Sequence, residues 1–191
     1  MRVILASASP RRRELMKKLN IPFEVIILPH DEVLDETKSV YEQCLDISYQ
    51  KAKMVYEKEK DDVIVIGSDT IVVLDNKIYG KPHDYNEAFD MLKKFSGKSH
   101  EVVTSLSLLI RKNGVEYEEK LYEIAKVYVD NMSSCEIREW IDSSDPYSKA
   151  GGYAIQEDFG KYISKIDGDY FTIVGLPLNK LYRLLKKYYD N

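Results

Sequence analysis

Apolar and polar positions in this chain fall into short blocks whose rhythm switches repeatedly between the period of a strand and that of a helix. Arg2-Val3-Ile4-Leu5-Ala6 predicts a short buried strand. Ser9 then suits a helix N-cap and Pro10 the first helical position, with Glu14-Leu15-Met16 and Leu19 continuing an amphipathic helix. Residues 23–27 read as a second strand, followed by an acidic loop, Pro29-His30-Asp31-Glu32. A long helix is predicted over residues 39–59, with apolar positions at Tyr41, Cys44, Leu45, Ile47, Ala52 and Val55. Residues 63–66 form a central strand that resumes at 71–74, turns at Asp75-Asn76 and returns through Lys77-Ile78-Tyr79. Beyond it come a helix over 86–95, a strand over 101–110, a turn at Asn113-Gly114, extended chain over 115–129 and a helix over 134–141. Tyr153-Ala154-Ile155, residues 161–166 and Thr172-Ile173-Val174 read as short strands before a C-terminal helix over 179–189. Alternation of this kind predicts an α/β protein with a mixed central β-sheet flanked by helices.

Composition narrows the class without deciding it. A chain of 191 residues with 44% hydrophobic and 31% charged residues suits an ordinary globular domain, or two small lobes sharing a core. The net charge of −4 argues against broad nucleic-acid binding. A polyanionic substrate would need local cations or a metal. Fifteen tyrosines against one tryptophan read as amphipathic packing residues rather than a base-stacking platform. Cys44 and Cys135 lack metal-ligand spacing and are expected to stay reduced. His30, His83 and His100 show no zinc-binding spacing. The start of the chain carries no apolar leader or lipidation signal, and no apolar run nears the roughly 20 residues that span a bilayer. A cytoplasmic protein with no membrane contact is expected.

Chemistry concentrates where the first strand should meet the first helix. Ser7-Ala8-Ser9-Pro10-Arg11-Arg12-Arg13 puts three arginines into the first helical turn, the end of a helix that favours acidic side chains. Removing Arg12 from that turn should therefore leave stability equal or improved. An anion resolves the conflict, because free backbone N–H groups, two hydroxyls and guanidinium forks together suit phosphate oxygens. A solvated basic patch is the plainer alternative.

The block over 63–74 is apolar except at Ser68-Asp69-Thr70, and a carboxylate inside a buried strand is costly unless paired, metal-bound or protonated. Gly67 beside it would let a ligand approach, although Asp69 could also cap a neighbouring turn. A two-residue turn at Asp75-Asn76 would set Thr70 opposite Lys81, with Asp69 and Lys81 at one end of the hairpin. Such a pair reads as a general base or metal ligand beside a phosphate-binding ammonium. Glu32 sits in an oxygen-rich loop that suits a hard cation such as Mg²⁺, or is merely solvated. Lys51 lies on the long helix and says little alone. Gln156 closes Gly151-Gly152-Tyr153-Ala154-Ile155-Gln156 and could read a base edge, or sit idle at a strand end. No phosphate-binding P-loop, dinucleotide fingerprint or Gly-x-Ser-x-Gly nucleophile elbow is present.

Taken together, these segments resemble the Maf family of nucleotide pyrophosphatases, also known for inhibition of septum formation. The resemblance covers nearly the whole chain. It rests on 5–12 (Leu-Ala-Ser-Ala-Ser-Pro-Arg-Arg), Glu32, Lys51-Ala52, Gly67-Ser68-Asp69-Thr70, Gly80-Lys81-Pro82, Leu92 through Ser96-Gly97, Lys149-Ala150-Gly151, Tyr153-Ala154-Ile155-Gln156 and Val174-Gly175-Leu176-Pro177-Leu178. It implies an elongated α/β fold, a single domain of two lobes over 1–191 that do not fold independently, with a cleft between them. It implies hydrolysis of a nucleoside triphosphate to the monophosphate and pyrophosphate with a divalent cation, Mg²⁺ or Mn²⁺. In that scheme Glu32 and Asp69 hold the metal and Asp69 is the proton acceptor. Lys51, Lys81 and Arg12 take phosphate charge, Ser7 and Ser9 add hydroxyl contacts, and Arg11, Thr70 and Gln156 influence the choice of base. Thr after the aspartate and Ile-Gln near the C-terminus resemble the branch acting on dTTP and UTP.

Other functions left open are a pyrophosphatase for modified nucleotides and a non-catalytic regulator of cell division. The expected partner is the nucleotide, with no stable nucleic-acid binding and with a homodimer as an option. Three positions depart from the family pattern: Ser105 where Gly or Ala is frequent, Ala125-Lys126-Val127 where Thr-Glu-Val is common, and Glu157 where Gly is usual. A carboxylate at 157 is expected to weaken triphosphate binding or redirect specificity.

Overall fold

The computed structural model describes residues 1–29 and 35–189. Strand β1 (Arg2–Leu5) leads into helix α1 (Pro10–Lys17), then strand β2 (Glu24–Val25), helix α2 (Val40–Tyr56) and the long strand β3 (Val63–Leu74). Strand β4 (Lys77–Tyr79), helix α3 (Tyr85–Phe95), strand β5 (Ser99–Lys112), strand β6 (Val115–Val129) and helix α4 (Ser134–Ser143) follow. The chain closes with strand β7 (Ile163–Asp167) and helices α5 (Tyr170–Val174) and α6 (Leu178–Tyr189). Seven strands make one sheet in the order β2-β1-β3-β5-β6-β7, with β4 also paired to β3. β1 runs parallel to β2 and β3, while β3–β4 and β6–β7 are antiparallel, so the sheet is mixed as expected. No helix among the described residues is long and apolar enough to cross a membrane.

The elements follow from local chemistry. Ser9 caps α1 and Pro10 opens it. Ser39 and Glu42 form a reciprocal capping box at the start of α2. In α3, Ala88, Met91, Leu92 and Phe95 recur on one face and are buried. The β3–β4 hairpin turns through Asp75 (φ 52°) and Asn76 (φ 58°), the left-handed pair that a tight two-residue hairpin needs.

Two compact units emerge. One comprises residues 1–69, 104–123 and 175–191, the other 70–103 and 124–174. The first packs Ile4, Ala52, Val55, Val63, Val65 and Leu109. The second packs Leu92, Phe95, Trp140, Tyr153 and Phe159 around α3 and α4.

Three of the predicted short strands change. Thr172-Ile173-Val174 lies in α5, because the Asp169 carboxylate accepts from the Thr172 amide (2.8 Å) and hydroxyl (2.9 Å) and caps a helical turn. Tyr153-Ala154-Ile155 is buried but irregular, with a 3₁₀ turn before it at Ala150–Gly152 and another after it at Asp158–Tyr162. That second turn takes the start of the strand expected over 161–166, which begins instead at Ile163.

Candidate active site

In the first unit β1 lies between β2 and β3, all parallel. The chain winds from β1 through α1 to β2 on one side, then through α2 to β3 on the other. Reversal of winding sets a topological switch point at the carboxyl ends of the two strands, the customary ligand position in such sheets. Ser7, Ser9 and the start of α1 follow β1 at this end, and Gly67, Ser68 and Asp69 follow the β3 residues that pair with it.

The hydroxyls and one arginine are tied together. The Ser9 side chain accepts from the Arg12 amide at 3.4 Å, and the Ser7 hydroxyl accepts from the Ser9 amide at 3.3 Å. Arg12 is buried: its Nε donates to the Gly175 carbonyl at 2.9 Å and its Nη1 to the Ser7 hydroxyl at 3.2 Å. The Ser68 hydroxyl donates to the same Gly175 carbonyl at 3.3 Å. Gly175 takes φ 119°, backbone that favours glycine. Arg12 is therefore part of the scaffold joining three chain segments, and the expectation that its loss would leave stability equal or improved is withdrawn. Arg11 is half-buried and Arg13 exposed.

The ammonium set on Asp69 is that of Lys51, whose Nζ donates to Oδ1 at 2.7 Å. Both side chains are about one-sixth exposed, at 16% and 15%. Gly67 explains the contact. A Cβ there would stand 2.0 Å from the Ser48 carbonyl oxygen and 2.9 Å from the Ala52 nitrogen. So α2 lies directly against β3, and what approaches Gly67 is the helix backbone rather than a ligand. Gly67 and Asp69 share one face of the strand, and that face meets Ser48, Lys51 and Ala52.

Beside the pair, the Cys44 thiol contacts the Asp69 carbonyl (3.7 Å) and the Ser105 hydroxyl (3.3 Å), and Ser105 donates to the Cys44 carbonyl at 2.7 Å. Burial, helped by the Asp69 charge, pushes the thiol up to about 12, so it stays protonated and is no nucleophile. The departure at Ser105 is thus a hydrogen-bonded packing choice.

Thr70, Lys81 and Gln156 belong to the second unit. The hairpin register, Leu74 opposite Lys77 and Val72 opposite Tyr79, counts on to Thr70 opposite Lys81, but β4 ends at Tyr79. Lys81 is exposed, and the carbonyl of neighbouring Gly80 accepts from the Gly151 amide at 2.9 Å. Gln156 is exposed on a turn closed by the Glu157 amide donating to the Ala154 carbonyl at 3.1 Å. Glu157 pairs with Lys149 at 3.3 Å.

Sequence reasoning left Lys149 without a role; a buried lysine in an irregular segment leaves no periodic signal. It read His100 only as lacking zinc-binding spacing; its Nε2 meets the Tyr153 hydroxyl at 2.5 Å while Nδ1 is buried without a partner. Burial lowers the imidazole to about 4. Glu32, with His30 and Asp31, lies outside the described residues, and among the described residues no three His, Cys, Asp or Glu side chains gather to hold a metal ion.

This is the geometry of an α/β protein with a lysine–aspartate pair and a serine–arginine cluster at a sheet's switch point. Comparison with known proteins makes the class specific. The chain matches the family of Maf-like proteins over residues 2–188 and belongs to it. A dTTP/UTP pyrophosphatase of Alkaliphilus oremlandii is 44% identical over 188 residues, covering 98% of this chain and 96% of that protein. The protein of the same name from Clostridioides difficile is 40% identical, covering 100% of this chain and 96% of its own length. Among solved structures, a nucleoside-triphosphatase / dITP/XTP pyrophosphatase from Mycobacterium abscessus is 16% identical with a TM-score of 0.45, over 69% of this chain and 76% of that one.

Proposed function

We propose that this protein hydrolyses dTTP and UTP to the monophosphate and pyrophosphate in the cytoplasm. Full-length kinship at 40–44% identity with proteins named dTTP/UTP pyrophosphatase supports the substrate. The Lys51–Asp69 pair at the β1–β3 switch point is the observation that carries the chemistry. Water adds to phosphorus, the anhydride bond between the α and β phosphates breaks, and pyrophosphate leaves. Asp69 orients the water and takes its proton. Lys51 donates a hydrogen bond to Asp69 and, with Arg12 and Lys81, meets the charge that develops on the phosphates. The Ser7 hydroxyl already accepts two hydrogen bonds, so its own proton is there to give to a phosphate oxygen. Ser9 and the α1 amides add to that contact.

Oxygen donors fit a hard cation bound through one or two carboxylates and the substrate's phosphates, so Asp69 with Glu32 would hold Mg²⁺ or Mn²⁺. When bound, the ion lowers the pKa of a water and neutralises phosphate charge. Gln156 accepts from the pyrimidine N3–H and donates to a neighbouring carbonyl, with Arg11 and Thr70 contributing to base choice. Cytosine offers no N3–H, and a site left with unpaired polar groups rejects the wrong edge strongly.

A panel of dTTP, UTP, CTP, GTP and ITP, read by pyrophosphate release, tests this. Turnover of dTTP and UTP should dominate kcat/KM. Equal use of CTP or GTP would sink the base assignment, and release of single phosphates would sink the reaction.

A further inference from the structure

We infer that Lys149 is a positioning residue for the loop that reads the base, acting on Gln156 through Glu157. Only 6% of the Lys149 side chain is exposed. Such an ammonium must be paired, and its partners fix what surrounds it. It donates to the Asp145 carbonyl at 2.5 Å and meets the Glu157 carboxylate at 3.3 Å. One side chain thus ties together both ends of the segment from Asp145 to Glu157.

That segment has no strand ladder to hold it. Gly151 and Gly152 each take φ 73°, which lets the chain double back under the loop. The Gly152 carbonyl accepts from the Trp140 indole at 3.1 Å, and the Gly151 amide donates to Gly80, the residue before Lys81. Tyr153, Ala154 and Ile155 are buried and anchor the near side of the turn. Gln156 comes next and is exposed. On its far side, Glu157 is held by Lys149. The carboxylate expected to disturb the substrate is paired with a buried cation. Loosening Lys149 frees the loop after Ile155, so the base edge is met less often in register while the Lys51–Asp69 chemistry continues.

In the function proposed above Gln156 reads the base, and the inference depends on that. Steady-state kinetics of Lys149→Met, Glu157→Gln and the double variant, with Gln156→Ala alongside, on dTTP, UTP and CTP, separate the two. Lys149→Met and Glu157→Gln should each raise KM for dTTP about tenfold and lower the dTTP:CTP ratio of kcat/KM, with kcat for dTTP within about threefold. The double variant should be no worse than Lys149→Met alone, because the two residues form one tie. If Gln156→Ala loses selectivity while folded Lys149→Met and Glu157→Gln keep it, the positioning role is wrong and the base assignment stands. If Gln156→Ala keeps selectivity, the base assignment fails and takes the positioning role with it. A rise in KM shared equally by all three nucleotides marks a purely structural lysine and overturns the inference. Should Lys149→Met fail to fold, the isosteric Glu157→Gln decides alone.

Discussion

Both units sink a lysine against a carboxylate, and they do so in opposite senses. In the first, Lys51 and Asp69 are equally shielded, 2.7 Å apart, and stand on regular elements, α2 and β3. In the second, Lys149 is deeply buried while Glu157 is 39% exposed, 3.3 Å away, and neither belongs to a helix or strand ladder. A charge presented on rigid elements at the open end of a sheet can act on a substrate. A charge drawn inward from a loop can only hold the loop. On the roles proposed above, identical chemistry serves two purposes that shielding and backbone context tell apart.

The sharpest way to break the contrast is at Asp69. Asp69→Asn keeps the shape and one hydrogen bond to Lys51, so fold and nucleotide binding should survive. Turnover should fall by about 10²–10⁴, the usual loss with a general base. Lys51→Met should likewise lower kcat far more than KM, the reverse of the pattern expected at Lys149. Near-normal kcat in either variant, measured by pyrophosphate release, would reduce the first pair to a structural tie like the second.

A second contrast lies in pH. The second unit buries His100 neutral, lowered from 6.5 to about 4. Between those values the unfolded chain takes up a proton that the folded chain refuses. Stability is therefore complete above about pH 6.5 and is lost as pH falls toward 4, by about 3 kcal/mol in all. Thermal melts from pH 7.5 to 4.5 should show a steeper acid loss in the native sequence than in His100→Phe. Parallel slopes would mean that the imidazole reaches solvent before the fold opens.

The smallest effect sharpens the first unit internally. Arg12 spends two hydrogen bonds on Gly175 and Ser7. Arg12→Ala should then lower stability by about 2 kcal/mol as well as raising KM, because charged hydrogen bonds are lost from a buried site. Arg12→Lys should restore neither fully, since an ammonium cannot reproduce the fork. A melt unchanged by Arg12→Ala would return the arginine to the role of a purely ligand-facing cation.

Much of this was legible in the sequence, for reasons that are local. Ser9 and Pro10 announce the start of α1, and the Asp75-Asn76 turn fixes the hairpin register without help from the rest of the chain. The partner of Asp69 was harder to see. Lys51 is 18 positions away, and its reach depends on how closely α2 settles on β3. Val174 and its β-branched neighbours suggested a strand until Asp169 capped them into a helix. Burial of Tyr153-Ala154-Ile155 came from side packing with no ladder behind it. Glu32 lies outside the described residues, and nothing in its local pattern beyond an acidic run marks it.

Gly67 carries a consequence for how this protein can change over generations. The backbone of α2 fills the space where any side chain would begin. Substitution there would lift the helix and with it Lys51, shifting the Lys51–Asp69 pair without touching a polar atom. The site's spacing is thus inherited through a residue that has no chemistry of its own. At Gly80, by contrast, a Cβ would meet nothing within 4 Å. Two glycines in one strand-and-hairpin stretch therefore differ in kind, one closed in by its neighbours' backbone and the other with open space around its Cα.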